Sequence, residues 1–423
     1  MVSESRAIRR LPGSGASIAC YAGNADNRFV PFDQTESERT LKRSLAKICQ
    51  EPFRIFFPAG ALLGLTGVSL WVLYYFGAGV PYPNVAHARL MIEGMMASFV
   101  FGFLGTAGPR LTSAPPFSLA EVAILFTLDL LAAGAHVNEA HRFGDICFAV
   151  CLLVFVLVLL KRFRLRADNP PPNFVLVALG LLSGIAGAAL SAWSVDAQYS
   201  FAYQFGSGLL NQCFILLPIL GVAPFFIGRL LNLPSSDLPE SRAFPPEWKR
   251  RATLNALIGL VIVGAFFLES LGPSKTAGWI RAGGIVVYLT LRMPWRGRTF
   301  LADYLRISLL FILTGFTAVA VWPQYRIGEL HIVFVTGFNL IVFTVATRVV
   351  FGHSGQLDRL KGRLWFFIVM SGLLFLAMVS RVTADLAPEA RTIHLLGAAF
   401  CWLAGAVLWF IKTIPKVAIS EEE

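Results

Sequence analysis

Histidine is the residue type whose positions in this sequence most suggest chemistry. The chain has six histidines, and neutral imidazole is the commonest protein ligand for copper, zinc and haem iron. His87 is followed four residues later by Met91, so a helix would place both side chains on one face. Histidine with methionine is a soft, redox-capable ligand pair. The spacing predicts haem- or copper-binding residues here.

Other histidines also lie at the ends of apolar segments. His331 begins one such segment and His394 lies just inside another, so both are candidate ligands of the same centre. His353, in a Gly-His-Ser-Gly turn, is a further candidate metal ligand. His136 and His141 are interpreted instead as helix-end residues that bond backbone carbonyls.

Ionisable and amide side chains within apolar segments form a second group of candidates. Arg89 and Glu93 are four residues apart, and such a pair inside a membrane is either functional or a self-neutralising salt bridge. Asp129 has no evident local partner, so it is either a proton carrier or a neutral, hydrogen-bonded group. Asn339 belongs to a polar stripe on one segment. Arg348, near the end of that segment, is a functional candidate or contacts anionic lipid.

These residues are embedded in a strongly apolar chain. Of its 423 residues, 56% are hydrophobic and 14% are charged, and the mean hydropathy is +0.65. Soluble proteins usually carry about 25% charged residues. The composition therefore predicts an all-α polytopic membrane protein in contact with the lipid bilayer. It excludes a disordered chain and a secreted disulfide scaffold, and no nucleic-acid partner is expected.

Twelve segments approach the length of about 20 apolar residues that a transmembrane helix needs. They are 55–77, 88–108, 117–136, 143–161, 173–194, 207–230, 252–271, 276–292, 303–322, 329–350, 363–386 and 391–413. The eighth is short. The sixth contains Pro218 and Pro224, so a kink is expected there.

The net charge of +11 is attributed to loops on one side of the membrane. Lysine and arginine collect at alternate loops, and by the positive-inside rule both termini are cytoplasmic. The predicted organisation is a basic, polar cytoplasmic segment at 1–50, a twelve-helix transmembrane domain at 51–413 and a short cytoplasmic tail at 414–423. The first segment lacks the apolar region of a cleavable signal peptide. His353 then lies inside, and the other histidines lie towards the outer face.

Two pairs of glycines predict close helix packing. Gly60 with Gly64, and Gly180 with Gly184, have the spacing of small-residue contacts between membrane helices. These glycines indicate architecture and carry no chemistry.

Four short motifs resemble those of the NnrS family, which are twelve-span bacterial membrane proteins containing haem and copper and linked to nitric oxide and denitrification. The motifs are EPFRIFFPAG at 51–60, GFLGTAGPRLTSAPPFS at 102–118, GVAPFFIGR at 221–229 and HIVF…ATRVVFGHSGQ at 331–356. They occur in the family's order and spacing. His87, His331, Arg348 and His353 carry over by position, whereas His394 rests on topology alone.

The resemblance implies a haem-binding protein of the nitric oxide response in the bacterial cytoplasmic membrane, with copper as a second candidate metal. The chain departs from the family where HAHEM is replaced by His87-Ala88-Arg89-Leu90-Met91. A second histidine and a glutamate are missing there, which identifies a divergent member. A proton- or ion-coupled transporter of a small solute remains the alternative, since twelve spans and a proline-broken helix also suit it. The choice between enzyme, sensor and transporter stays open.

Overall fold

The computed structural model describes residues 34–197, 200–233 and 242–419. The chain divides into two units, Met1–Arg43 and Ser44–Glu423, and the second unit contains the helical bundle. Over the described ranges the secondary structure is helical and no strand is found. Residues 1–33 of the predicted N-terminal segment and residues 420–423 of the predicted tail lie outside the described part.

Helices follow one another along the described chain with short connections. They are α1 (Gln34–Gln50), α2 (Phe53–Tyr75), α3 (Asn84–Leu111), α4 (Leu119–Val137), α5 (His141–Leu165), α6 (Phe174–Ser194), α7 (Phe201–Leu230), α8 (Pro246–Ser270), α9 (Ser274–Arg292), α10 (Phe300–Val321), α11 (Pro323–His353), α12 (Trp365–Leu386) and α13 (Pro388–Ala418).

Eleven of these helices, counted over the described residues, are long and apolar enough to cross a membrane. They are α2–α8 and α10–α13, and they confirm the predicted all-helical, multi-pass class. The eighth predicted span forms α9, a helix of 19 residues that carries Lys275, Arg281 and Arg292 and is less apolar than the others. The twelfth span and the orientation of the termini therefore stay predictions.

Three helices form the centre of the bundle. In the most apolar window of α3, α7 and α11, 78%, 67% and 72% of the residues are buried, against at most 50% in the other eight candidate spans. Helices adjacent in sequence pack against each other, and α13 returns to pack on α2. A functional site enclosed by protein is therefore most readily built on these three helices.

Each central helix contains a widened π turn, at Leu90–Met96 in α3, Leu209–Cys213 in α7 and Ile332–Asn339 in α11. π turns are rare and are frequent at functional sites. In α7 the π turn lies just before Pro218, where a kink was predicted. Because proline has no backbone N–H for the preceding turn, a locally altered hydrogen-bond pattern is expected there.

The predicted glycine pairs lie at close helix contacts. A Cβ placed on Gly60 in α2 would lie 2.8 Å from the Cβ of Ser98 in α3. A Cβ on Gly180 in α6 would lie 2.3 Å from the Cδ of Pro218 in α7. These positions need glycine because a neighbouring backbone or rigid ring occupies the space of a side chain.

We expect Gly180→Ala to destabilise the protein by about 1–3 kcal/mol, the usual cost of overpacking. The proline ring cannot rotate away from the new methyl group. Thermal unfolding in detergent measures the change. Gly264→Ala in α8 is the matched control, since no atom lies within 4 Å of the added Cβ. Equal stability of the two variants would contradict this account of the contact.

Candidate functional site

His87 lies near the start of α3 with one ring nitrogen held and the other free. Its Nδ1 lies 2.9 Å from the carbonyl oxygen of Gly67 in α2, and Trp71 presents a ring 6.0 Å away, nearly edge-on. Among the described residues, its Nε2 has no hydrogen-bond partner. A histidine held through Nδ1 by a backbone carbonyl is oriented to use Nε2 as a ligand atom.

His331 in α11 is held in the same way. Its Nδ1 lies 2.7 Å from the carbonyl oxygen of Ile327, and Phe334 packs 5.9 Å from its ring. Within the described ranges its Nε2 also has no hydrogen-bond partner. The ring interacts electrostatically with His87 and with Arg381. The fold thus places two histidines that are far apart in sequence within electrostatic range of each other.

His87, His331 and Arg381 are named here the histidine-pair site. Arg381, near the end of α12, makes an ion pair of 3.1 Å with Asp385 and interacts electrostatically with both histidines. His394 in α13 lies beside this region, with its Nδ1 3.4 Å from the hydroxyl of Ser380. The sequence analysis did not identify Arg381, although a charge inside an apolar segment is itself a signal.

Met91 lies in the π turn of α3. A Cβ on Gly67 would meet its sulfur at 3.4 Å and the carbonyl oxygen of His87 at 3.7 Å. Both residues therefore lie against the same part of α2. The structure describes no contact between the sulfur of Met91 and the ring of His87.

A second polar group lies deeper on α3. Arg89 and Glu93 make the predicted ion pair, with Nε and Oε1 3.2 Å apart, and Arg89 Nε also lies 2.7 Å from Asp145 Oδ1 in α5. Glu93 Oε2 lies 3.0 Å from His136 Nε2. His136 is fully buried, and its other nitrogen faces His141. The interpretation of His136 and His141 as simple helix-end residues was therefore wrong for His136, because α3 and α5 enclose its ring.

Glu93, His136 and Asp145 are named here the acid–histidine cluster. One donor atom from each lies within 4.8 Å of the others, a spacing that a metal ion could occupy. Asp145, a carboxylate just over one turn into α5, was not predicted; the available signal was an acidic residue at the start of an apolar segment.

The remaining polar candidates are separate from both groups. Asp129 is fully buried and accepts a hydrogen bond of 2.6 Å from Ser98, which supplies the partner not evident in sequence. Asn339 is 1% exposed, and its Oδ1 has no hydrogen-bond partner in the part of the chain that is described. Arg348 is half-buried, with its guanidinium beside Gly352.

The opposite end of the bundle carries an ion-pair network built from three of the quoted motifs. Glu51 accepts hydrogen bonds of 2.7 Å from Arg54 and 2.6 Å from Arg110. His353 contacts Arg110 through Nε2, and the same atom lies 3.8 Å from Glu51 Oε1. His353 is about 30 Å along α11 from His331, so these two histidines cannot share one metal ion.

We expect Glu51→Gln to lower stability at neutral pH but not in acid. Burial would raise the pKa of Glu51, but the charges of His353 and Arg54 and the hydrogen bonds from both arginines outweigh it and hold the pKa below its ordinary value of 4.5. A carboxylate with a lowered folded-state pKa stabilises the fold above its unfolded pKa, and this contribution is lost as pH falls through the folded value. Thermal unfolding of both proteins at neutral pH and well below pH 4.5 measures the effect. A deficit that persists unchanged in acid would contradict this assignment.

A scan against protein-family models supports the resemblance seen in the motifs. The model described as NnrS protein matches residues 47–418. No curated protein matches the chain. The family match covers the bundle from the residues before α2 to the end of α13, including both polar groups and the Glu51 network, and the chain therefore belongs to the NnrS family.

Proposed function

We propose that this protein is a haem-binding integral membrane protein of the bacterial nitric oxide response, with a metal centre ligated by His87 and His331. Family membership supports a nitric oxide-response membrane protein. The observation that carries the proposal is that His87 and His331 lie within electrostatic range of each other and that each has an Nε2 atom without a partner among the described residues. We place the protein in the cytoplasmic membrane with both termini cytoplasmic, so that this centre lies near the periplasmic face.

The residues present fit a haem iron. Two imidazoles, each oriented through Nδ1 by a backbone carbonyl, supply the nitrogen ligands that haem iron uses. Trp71 and Phe334 place aromatic surface beside the two rings. When bound, haem iron would supply the coordination of nitric oxide, which would take the place of one of the two imidazoles. The protein residues orient the ligands and surround the centre with apolar surface.

The positive charge of Arg381 also supports this proposal, because it is complementary to the negative carboxylates of haem. A haem carries two carboxylates, and arginine is well suited to bind carboxylates. Arg381 interacts electrostatically with both histidines, and its ion pair with Asp385 leaves other N–H groups of the guanidinium for an anionic ligand group. We propose that it binds a haem carboxylate.

Optical spectra of the purified protein test the function. Oxidised and dithionite-reduced spectra are recorded with and without nitric oxide, and iron and copper are counted per protein. We expect a Soret band that shifts with nitric oxide and about one haem iron per chain. Protein from haem-sufficient cells that contains neither haem nor metal would overturn the proposal. Proton- or sodium-driven solute uptake in vesicles would then support the transporter alternative.

A further inference from the structure

The acid–histidine cluster is enclosed by three different helices. Glu93 comes from the π turn of α3, His136 from the last turn of α4 and Asp145 from the second turn of α5. Their exposed fractions are 1%, 0% and 1%. The cluster belongs neither to the histidine-pair site nor to the Glu51 network.

Two carboxylate oxygens in this cluster are left without hydrogen bonds. Glu93 Oε1 and Asp145 Oδ1 are buried and have no hydrogen-bond partner among the described residues. Arg89 Nε lies 3.2 and 2.7 Å from them but is not aligned to donate to either. Because a buried unsatisfied charged oxygen is costly, another positive charge beside these two atoms would stabilise them.

The charge balance also favours a further cation. Two carboxylates face one guanidinium, which leaves one negative charge in a low-dielectric interior when both acids are ionised. Arg89 Nη1 donates to Asn211 Oδ1 over 3.1 Å, and Nη2 donates to Asp145 Oδ2 over 3.2 Å. Arg89 is thus held beside the cluster by α5 and α7. Within the cluster, Glu93 Oε2 and His136 Nε2 lie 3.0 Å apart.

His136 is supported as metal-ligating histidines usually are. Its Nδ1 lies 3.3 Å from His141 Nδ1, and His141 Nε2 lies 3.3 Å from a carboxylate oxygen of Glu139. An outer partner on the second ring nitrogen fixes the tautomer and orientation of a ligand histidine. The ring also packs directly over Gly144, where an added Cβ would lie 2.4 Å from it.

We propose that Glu93, His136 and Asp145 bind a divalent transition-metal ion at a site separate from the histidine-pair site. One imidazole and two carboxylates suit Zn²⁺, Mn²⁺ or Fe²⁺, whereas Cu⁺ prefers sulfur ligands. Three protein ligands leave coordination positions open for a small exogenous ligand, as in catalytic metal sites. Arg89 lies beside this ion as a like charge, so it weakens binding and keeps the ion exchangeable.

The experiment is a titration of the full-length, chelator-treated protein in detergent with Co²⁺, followed by its visible absorption and by competition with Zn²⁺. We expect one equivalent of Co²⁺ to bind. Glu93→Gln and Asp145→Asn should each weaken it by more than about 100-fold, since even outer-shell partners are worth about 10–100-fold. Glu329→Gln is the matched control: Glu329 in α11 is another buried carboxylate outside the cluster, and the change should leave Co²⁺ binding unchanged.

Two further variants keep the result interpretable. His141→Ala changes a half-buried residue that contacts His136 but is not itself a proposed ligand, and it should weaken Co²⁺ binding by about 10–100-fold. His87→Ala should leave Co²⁺ binding intact, which separates this site from the proposed haem centre. No Co²⁺ or Zn²⁺ binding, or binding unaffected by Glu93→Gln and Asp145→Asn, would overturn the proposal. Arg89 and one shared proton would then be the only positive charges that balance the two carboxylates.

Discussion

His87→Ala protein, purified from haem-sufficient cells, is expected to retain less than about one tenth of the wild-type haem, because losing a ligand costs more than the 10–100-fold lost with an outer-shell partner. The change removes the Nε2 atom that Gly67 orients through the other ring nitrogen. His331→Ala is expected to have the same effect. The ratio of Soret to protein absorbance, with iron counted per chain, measures both.

The control for this series is another histidine-to-alanine change in the same bundle. His353 lies at the opposite end of α11 in the Glu51 network, so His353→Ala should keep its haem. His394→Ala establishes whether that residue contributes, since it lies beside the histidine-pair site. Full haem content in His87→Ala, with the protein still folded by size-exclusion chromatography, would rule out His87 as the ligand.

Glu269→Gln should destabilise the protein by about 3–5 kcal/mol, the usual cost of breaking a buried ion pair. Glu269 lies near the end of α8. Its Oε2 is 2.7 Å from Nη1 of Arg281 in α9, and its Oε1 is 3.0 Å from Nε of Arg326 in α11. Arg281 is fully buried between the rings of Phe266 and Phe316, at 4.5 and 4.8 Å. Without the carboxylate its charge has no compensation, and the free energy of unfolding measures the loss.

Two controls distinguish the effect of a buried, unpaired charge from the effect of breaking any ion pair. Glu247→Gln breaks exposed contacts with Arg250 and Arg251 and should change stability little. The double variant Glu269→Gln with Arg281→Met removes both buried charges and should recover much of the loss. A Glu269→Gln protein as stable as wild type would show that Arg281 is solvated in another way.

The Arg281 contact also bears on the eighth predicted span, which is short and carries charges in its helix. A hydropathy profile treats every charge on a helix as unfavourable, whichever side it faces. In α9, Arg281 points into the bundle and is neutralised by Glu269 on the preceding helix. The segment is a helix as predicted, and its crossing of the membrane stays a prediction. The partner that neutralises Arg281 lies on another helix, outside any local hydropathy window.

Composition and apolar segment length were sufficient to predict the all-helical membrane class, because the bilayer requires long apolar helices in any membrane bundle. The Arg89–Glu93 ion pair was also predictable, since residues four apart on a helix are neighbours whatever surrounds them. The motifs were sufficient for the family. These properties depend on the local spacing of residues or on the apolar composition that a bilayer requires. Both can be read from a single sequence.

The partners of the polar side chains were decided by tertiary structure. Asp145 and His136 meet Glu93 only because α4 packs against the π turn of α3 and α5 packs against α3 and α4, and Arg281 meets Glu269 only through the α8–α9 contact. Likewise, His87 and His331 belong to helices far apart in sequence and lie within electrostatic range of each other only in the folded bundle. Such contacts depend on which faces of distant helices pack together, and helical periodicity alone does not specify that choice.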